Sequence, residues 1–309
     1  MKQVLYFCLT GLFLGLLLCL FLSFFFEFDR VMLMFEKPRL GKITAEDVFP
    51  FRNDSDFING LSTGRIKKKE FIGYFLSEDP VALDHVIYAA NSDIPQEFDV
   101  NRFGFEVYLP FSLKLNEFGG RGDINFPFDE SEKGQIKFLL IGRRLILGAG
   151  LKDDELMSNI LNSKYQKTHT FINSNDSILV THKEKLKGKE FKKIFFIEEN
   201  EDQVLNSINL SEISALSCVV FHPRLSTMMP YVFLDPSKRK ERLKQYAEKF
   251  AFLKNKLNAI VFSGKEIFEQ IAIKNKNRTN EIASYYFNDY YLNYRGNVIY
   301  AEFLSQNCI

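Results

Sequence analysis

Arg143 and Arg144 follow Gly142 at the end of a short apolar run, residues 138–141, and Gly148 and Gly150 come soon after. A guanidinium stays protonated at any ordinary pH, so neither arginine can serve as nucleophile or general base. Two guanidiniums at the start of a helix can hold an anion, because the free backbone N–H groups and the helix dipole there already favour negative charge. A phosphate, a sulfate or a uronic acid would suit such a site. The same charges could instead be solvated, or neutralised by Asp153, Asp154 or Glu155 just downstream. Asn200 follows a second apolar run, 194–197, where an amide can cap a turn. Tyr291 belongs to a cluster with Tyr285, Tyr286, Tyr290 and Tyr294, whose rings can stack on a sugar or pack in a core. The four histidines (His85, His169, His182, His222) show no ligand spacing, and none of the four cysteines (Cys8, Cys19, Cys218, Cys308) forms a Cys-x-x-Cys pair. No metal, cofactor or disulfide framework is therefore legible.

The elements that must position these residues come from the second half of the chain. Apolar runs at 138–141, 170–172, 194–197, 216–221 and 259–262 alternate with amphipathic stretches at 153–161, 177–187, 236–256, 265–273 and 296–304. Strands apolar on both faces, each followed by a helix, predict a parallel sheet covered on both sides. Right-handed crossovers then give a three-layer, doubly wound α/β domain with its site at the carboxyl ends of the strands. Asp235 and Pro236 mark the start of the 236–256 helix as N-cap and first helical position. Residues 30–111 read as a small mixed extension, with strand-like runs at 70–76, 86–90 and 104–109.

Residues 4–26 form an uncharged apolar stretch long enough to cross a bilayer as a helix, with no small-x-small cleavage site after it. The segment 1–29 is thus expected to be a retained transmembrane signal anchor. The positive charges after it favour an inside location for the bulk. Long C-terminal domains translocate largely regardless of charge, however, so the expectation is a single-pass protein with its bulk outside the cytoplasm. Four N-x-Ser/Thr triplets, at Asn53, Asn175, Asn209 and Asn277, are common by chance in a chain this rich in asparagine. A formal net charge of +1 supplies no long-range field for nucleic acid.

The Gly142-Arg143-Arg144 turn with Gly148, Gly150 and Leu151 resembles the first block of the SGNH hydrolase family (GDSL-type esterases and acetyltransferases), G-D-S-x-T-x-G-x-G-[VL]. Upstream, Asn116 to Gly122 resembles that family's lead-in, N-x-x-G-[FY]-R-[GD], with Gly120 at the aromatic position and Arg121 at the arginine. Glu198-Glu199-Asn200-Glu201 resembles the third block, with Asn200 at the oxyanion donor. Leu292, Asn293, Gly296, Ala301 and Leu304 match the last block, D-x-x-H-[LFP]-[NS]-x-x-G-x-x-x-x-A-x-x-[LI]. The resemblance covers residues 112–306 and implies an SGNH or flavodoxin-like fold for 112–309. It also implies that the catalytic triad is missing: the serine position is Arg144, the acid position Asn288 and the base position Tyr291. Tyrosine, with a reference pKa of about 10, is a poor base at neutral pH. A slip of one residue would offer Asp289 as the acid, but no histidine follows it.

Members of this family with one N-terminal anchor work beside membrane-bound O-acyltransferases in acylating envelope polymers. The resemblance therefore implies a membrane-anchored, non-catalytic protein that binds or scaffolds an envelope polysaccharide or such an acyltransferase. The candidate ligand-binding residues are Arg143, Arg144, Asn200 and Tyr291. The alternative is an active carbohydrate esterase or O-acetyltransferase with another nucleophile, such as Ser174 or Ser177.

Overall fold

In the computed structural model of the chain the described residues are 54–63, 65–66, 70–75, 86–90, 109–122, 135–166, 168–176, 190–199, 216–257, 259–274, 278–286 and 289–309. A helix, α1 (Asp54–Ser62), precedes three strands, β1 (Glu70–Phe75), β2 (Val86–Ala90) and β3 (Leu109–Lys114). They form an antiparallel sheet in the order β2-β1-β3. The first two strands lie on the runs expected; of the run 104–109 only Leu109 is described. Residues 111–114 alternate, with Phe111 and Leu113 buried and Ser112 and Lys114 exposed, which is the pattern of a half-buried edge strand. Among the described strands β3 is an edge, where a proline such as Pro110 is tolerated. Phe57 of α1 stacks on Tyr88 of β2 at 3.8 Å and closes this small core.

The five apolar runs of the second half all become strands: β4 (Ile136–Gly142), β5 (His169–Asn175), β6 (Lys192–Glu198), β7 (Leu216–His222) and β8 (Ile260–Ser263). They pair parallel in the order β5-β4-β6-β7-β8. Alternate residues feed two separate cores. Phe138, Leu140, Ile194, Phe196 and Val220 pack on one face with α3 (Met157–Tyr165), α7 (Gly264–Lys274) and α9 (Tyr294–Asn307). Leu139, Ile141, Phe195, Val219 and Phe221 pack on the other with Tyr246 and Leu253 of α6 (Pro236–Lys256). Burial on both faces is why the strands read as unbroken apolar runs. Three short helices complete the set: α2 (Arg144–Leu147), α4 (Leu225–Met228) and α5 (Pro230–Phe233), with α8 (Arg278–Ala283) after α7. All of this lies in one unit, Phe49–Ile309.

Three expectations change in detail. The 153–161 stretch splits into a 3-10 turn (Asp153–Glu155) and α3, because Leu156 is extended between them. Asp235 does precede Pro236 at the start of α6, but its side chain makes no capping bond; its carbonyl accepts the N–H of Lys238 and of Arg239 instead. Cys218 of β7 and Cys308 after α9 form a disulfide across a separation of 90 residues, a pairing that cysteine spacing does not reveal. The expected helix at 177–187 and the apolar segment 4–26 lie outside the described residues. Among the described residues no helix is long and apolar enough to cross a membrane.

Candidate functional site

The strand order reverses between β4 and β6, and in an open parallel sheet the crevice at such a point, at the carboxyl ends of the strands, is where ligands bind. Gly142 ends β4 there, and α2 makes a single turn before Gly148 stops it with a positive φ of 55°. A side chain at Gly148 would press on Leu156, so the turn needs glycine for both shape and space. Arg121 holds the turn from beneath. Its guanidinium donates to the Gly148 carbonyl at 2.6 Å and the Leu151 carbonyl at 2.6 Å, and meets Asp153 at 3.0 Å, with 1% of the residue exposed. Asn116 shapes the loop that delivers Arg121: its side-chain oxygen accepts the N–H of Phe118 and of Gly120, and its amide donates to the Asn173 carbonyl. At Gly120 a Cβ would run into the Asn173–Ser174 backbone, so the position needs glycine.

The two arginines after Gly142 are neutralised within the chain, by partners other than those nearest in sequence. Arg143 donates to Asp176 at 2.7 Å, and Arg144 lies 3.4 Å from Glu198. Asp153 is taken by Arg121. Glu198 also accepts the Leu145 N–H at 3.0 Å, so the start of α2 is already filled by a carboxylate of the protein itself. With one turn only, α2 adds little dipole of its own.

The last block comes to the same edge of the sheet, but through Tyr290. The Arg144 guanidinium lies 5.1 Å from the centre of that ring and the Arg224 guanidinium 4.7 Å from it. Tyr291 is buried and its hydroxyl meets that of Tyr88, 3.3 Å away in the antiparallel sheet. Tyr285 and Tyr286 are also buried and only Tyr294 of the aromatic cluster is exposed, so these rings act chiefly as core. Asn200 and Asn288 lie outside the described residues.

Sequence patterns pass over the rest of this edge. Glu199 accepts the Arg224 N–H at 3.1 Å and the Thr227 hydroxyl at 2.8 Å, with Arg242 at 3.7 Å. Asp289 accepts the Ser226 N–H at 2.6 Å and its hydroxyl at 3.1 Å. Burial raises the pKa of both carboxyls, opposed by the hydrogen bonds they accept. They thus cap the start of α4 from two directions, and Asp289 serves there rather than beside an imidazole. The legible signal is a pair of carboxylates, Glu198-Glu199, at the end of a strand whose last five residues are buried.

At the carboxyl edge of the sheet no described serine or threonine hydroxyl meets an imidazole; the Thr168 hydroxyl does, 2.7 Å from Nδ1 of His169, but at the opposite, amino end of β5. The Ser174 hydroxyl is buried and donates to the carbonyls of Phe118 and Asn175. Asn175, one of the four N-x-Ser/Thr sites, is buried as well. His222 bonds the Tyr300 hydroxyl at 2.8 Å, and burial pulls its pKa down to about 3. The folded protein therefore holds a neutral imidazole. Unfolded histidine takes up a proton below its ordinary value of about 6.5, so this contribution to stability is present above that pH and lost as pH falls toward 3. Between pH 7 and pH 4 the loss is about 3 kcal/mol. Urea titrations at the two pH values should show it in the native chain, and a smaller difference in His222→Gln. Equal pH dependence in the two proteins would mean that His222 is not held neutral.

No protein-family model matches the chain, and no curated protein matches it significantly.

Proposed function

We propose that this chain is a non-catalytic protein of the SGNH hydrolase type, anchored in a membrane by residues 4–26 with its bulk outside the cytoplasm. In this reading it binds or scaffolds an envelope polysaccharide, or the membrane O-acyltransferase that modifies it, and transfers no acyl group itself. The observation that carries the reading is the occupant of the nucleophile position: Arg144, paired with Glu198 and laid against Tyr290. A serine esterase needs a hydroxyl there with a base in reach. Here the position holds a permanent cation, closed off by a carboxylate from the next strand.

Three further features support the reading. The strand order, in chain terms 2-1-3-4-5, is that of flavodoxin-like doubly wound sheets, the type to which the resemblance assigns residues 112–309. The lead-in residues Asn116 and Arg121 are bonded to the second strand end and to the glycine turn, which gives their spacing a structural reason. The Cys218–Cys308 disulfide suits an oxidising compartment outside the cytoplasm.

Treatment of the purified protein with a serine-reactive fluorophosphonate tests the absence of catalysis. The expected result is no labelling of the folded chain and hydrolysis of an acetyl ester at the background rate. Labelling at any serine, abolished together with turnover by changing that serine to alanine, would revive the esterase reading.

A further inference from the structure

The turn that follows α4 leaves two large apolar side chains in solvent. In α5, Pro230 is buried and Phe233 packs against the core, while Tyr231 and Val232 between them are 77% and 57% exposed. Single exposed apolar residues are ordinary on a protein surface. Here two neighbours lie exposed together on one short turn, between residues that the fold does bury.

Their surroundings are basic. The Arg239 guanidinium of α6 lies 5.1 Å from the centre of the Tyr231 ring and donates to the carbonyls of Pro230, Tyr231 and Leu234, which fixes the turn on the start of α6. These acceptors are carbonyls, so the charge of Arg239 is not cancelled by them. Lys238, Lys240, Arg242 and Lys244 stand on the same stretch of helix, and the only acids from 231 to 245 are Asp235 and Glu241. Arg242 is taken by Glu199. Lys238 comes only to 4.0 Å of Asp235, both side chains being well exposed, and such a pair contributes little. Lys240 is exposed and meets no carboxylate among the described residues. Nor do these cations stabilise the helix: near a helix start the dipole favours acids, and the first turn of α6 carries none. The whole chain has a net charge of only +1, so the excess is local.

An anionic bilayer matches both properties at once. Its phosphates attract lysine and arginine, its acyl boundary accepts valine, and a tyrosine ring settles at the headgroup level. A folded protein would need an acidic rim around an apolar socket of the right shape, whereas a lipid surface adapts its shape to the turn. We propose that the α5 turn and the start of α6 form a docking surface for an anionic lipid bilayer, with Tyr231 and Val232 entering the headgroup region and Lys238, Arg239 and Lys240 facing the phosphates. Because α4 and α5 follow β7, docking sets the carboxyl end of that strand beside the membrane. The surface goes beyond the anchor proposed above: residues 4–26 would attach the chain, and the α5 turn would orient it.

The chain contains no tryptophan, so Tyr231→Trp places a single reporter on this surface of the full-length protein. The reporter protein is combined with vesicles of phosphatidylcholine alone, or of an equal mixture of phosphatidylcholine and phosphatidylglycerol, each carrying a brominated acyl chain as quencher. In the anionic vesicles the tryptophan emission should shift to the blue and be quenched; in the neutral ones it should do neither. A cation near an anionic surface strengthens binding about fivefold, so adding Lys238→Glu and Lys240→Glu together should abolish the quenching, as should high salt. Phe252→Trp, exposed near the other end of α6, should be quenched far less. All of these positions are exposed or on the surface of a helix, and thermal melts confirm that each variant folds. The proposal is overturned if the 231 reporter responds equally to both vesicles, if its quenching survives the charge reversals, or if Phe252→Trp is quenched as strongly. A reporter that no lipid affects would leave the surface to a protein partner. Flotation of the native chain with phosphatidylcholine vesicles tests the uncharged anchor separately, so loss of either reading is distinguishable from loss of the other.

Discussion

Reducing the Cys218–Cys308 bond is expected to destabilise the folded domain by about 4–5 kcal/mol, since the loop it closes is long and closure entropy grows with loop length. The position of the bond gives this weight. Cys218 is fully buried in β7, next to the central strand β6, and Cys308 ends the helix that packs Ile299, Tyr300 and Leu304 onto the same face. Without the bond, α9 is held by its apolar contacts and by polar ones such as Tyr300 with His222 and Arg295 with Glu281. Tyr300 depends on that helix and holds His222, so loosening α9 also threatens the carboxyl end of β7. Denaturant titrations of the native protein with and without reductant, and of Cys308→Ser, should give midpoints shifted together and by the same amount. Coincident curves for oxidised and reduced protein would show that the bond contributes nothing, and would remove one support for a location outside the cytoplasm.

The sequence discloses the sheet well because its parallel strands are largely buried on both faces, with only the edge strand β8 leaving a large apolar residue, Ile260, well exposed near its start. That forces a contiguous apolar run, and the five runs are the five strands. The helix at 236–256 is legible to the residue, since Pro236 fixes its first position and Tyr246 and Leu253 place two full turns on the core. Charge pairing is not legible in the same way. Arg143 and Arg144 find their partners 33 and 54 residues away, on β-strand ends that only the fold brings alongside. Proximity in sequence points instead to Asp153, which the geometry gives to Arg121. The disulfide is hidden for the same reason. Asp289 is legible as a candidate acid, but its task is set by Ser226, 63 residues earlier.

These two kinds of residue divide the site. The glycine turn, the lead-in loop and the strand order shape the backbone of the crevice at the carboxyl end of β4. The side chains projecting from it are tied into pairs, Arg143 with Asp176 and Arg144 with Glu198. A buried ion pair contributes little net stability over an apolar pair of the same volume, but removing one partner alone is costly. With both partners in place, changing Arg144 to serine would strand Glu198, and the Tyr291 hydroxyl is bonded to Tyr88.

Arg121→Met is the second large effect expected, about 3–5 kcal/mol of lost stability. Methionine fills much of the same volume, so the cost falls on polar groups rather than on a cavity. The carbonyls of Gly148 and Leu151 lose their donor inside the protein, each at about 1–3 kcal/mol. Asp153 contributes less, because its side chain is half exposed and water can replace the guanidinium. Arg121→Lys should recover only part of the loss, since one ammonium cannot reach both carbonyls in the geometry of the planar fork. Chemical denaturation of the three proteins measures the differences. The damage should also be local: hydrogen exchange ought to rise in the turn 144–151 before it rises in β6 or β7. A methionine variant as stable as the native chain would mean that the glycine turn stands without Arg121. The lead-in motif would then lose its structural reason, and with it a main ground for placing this domain beside the SGNH hydrolases.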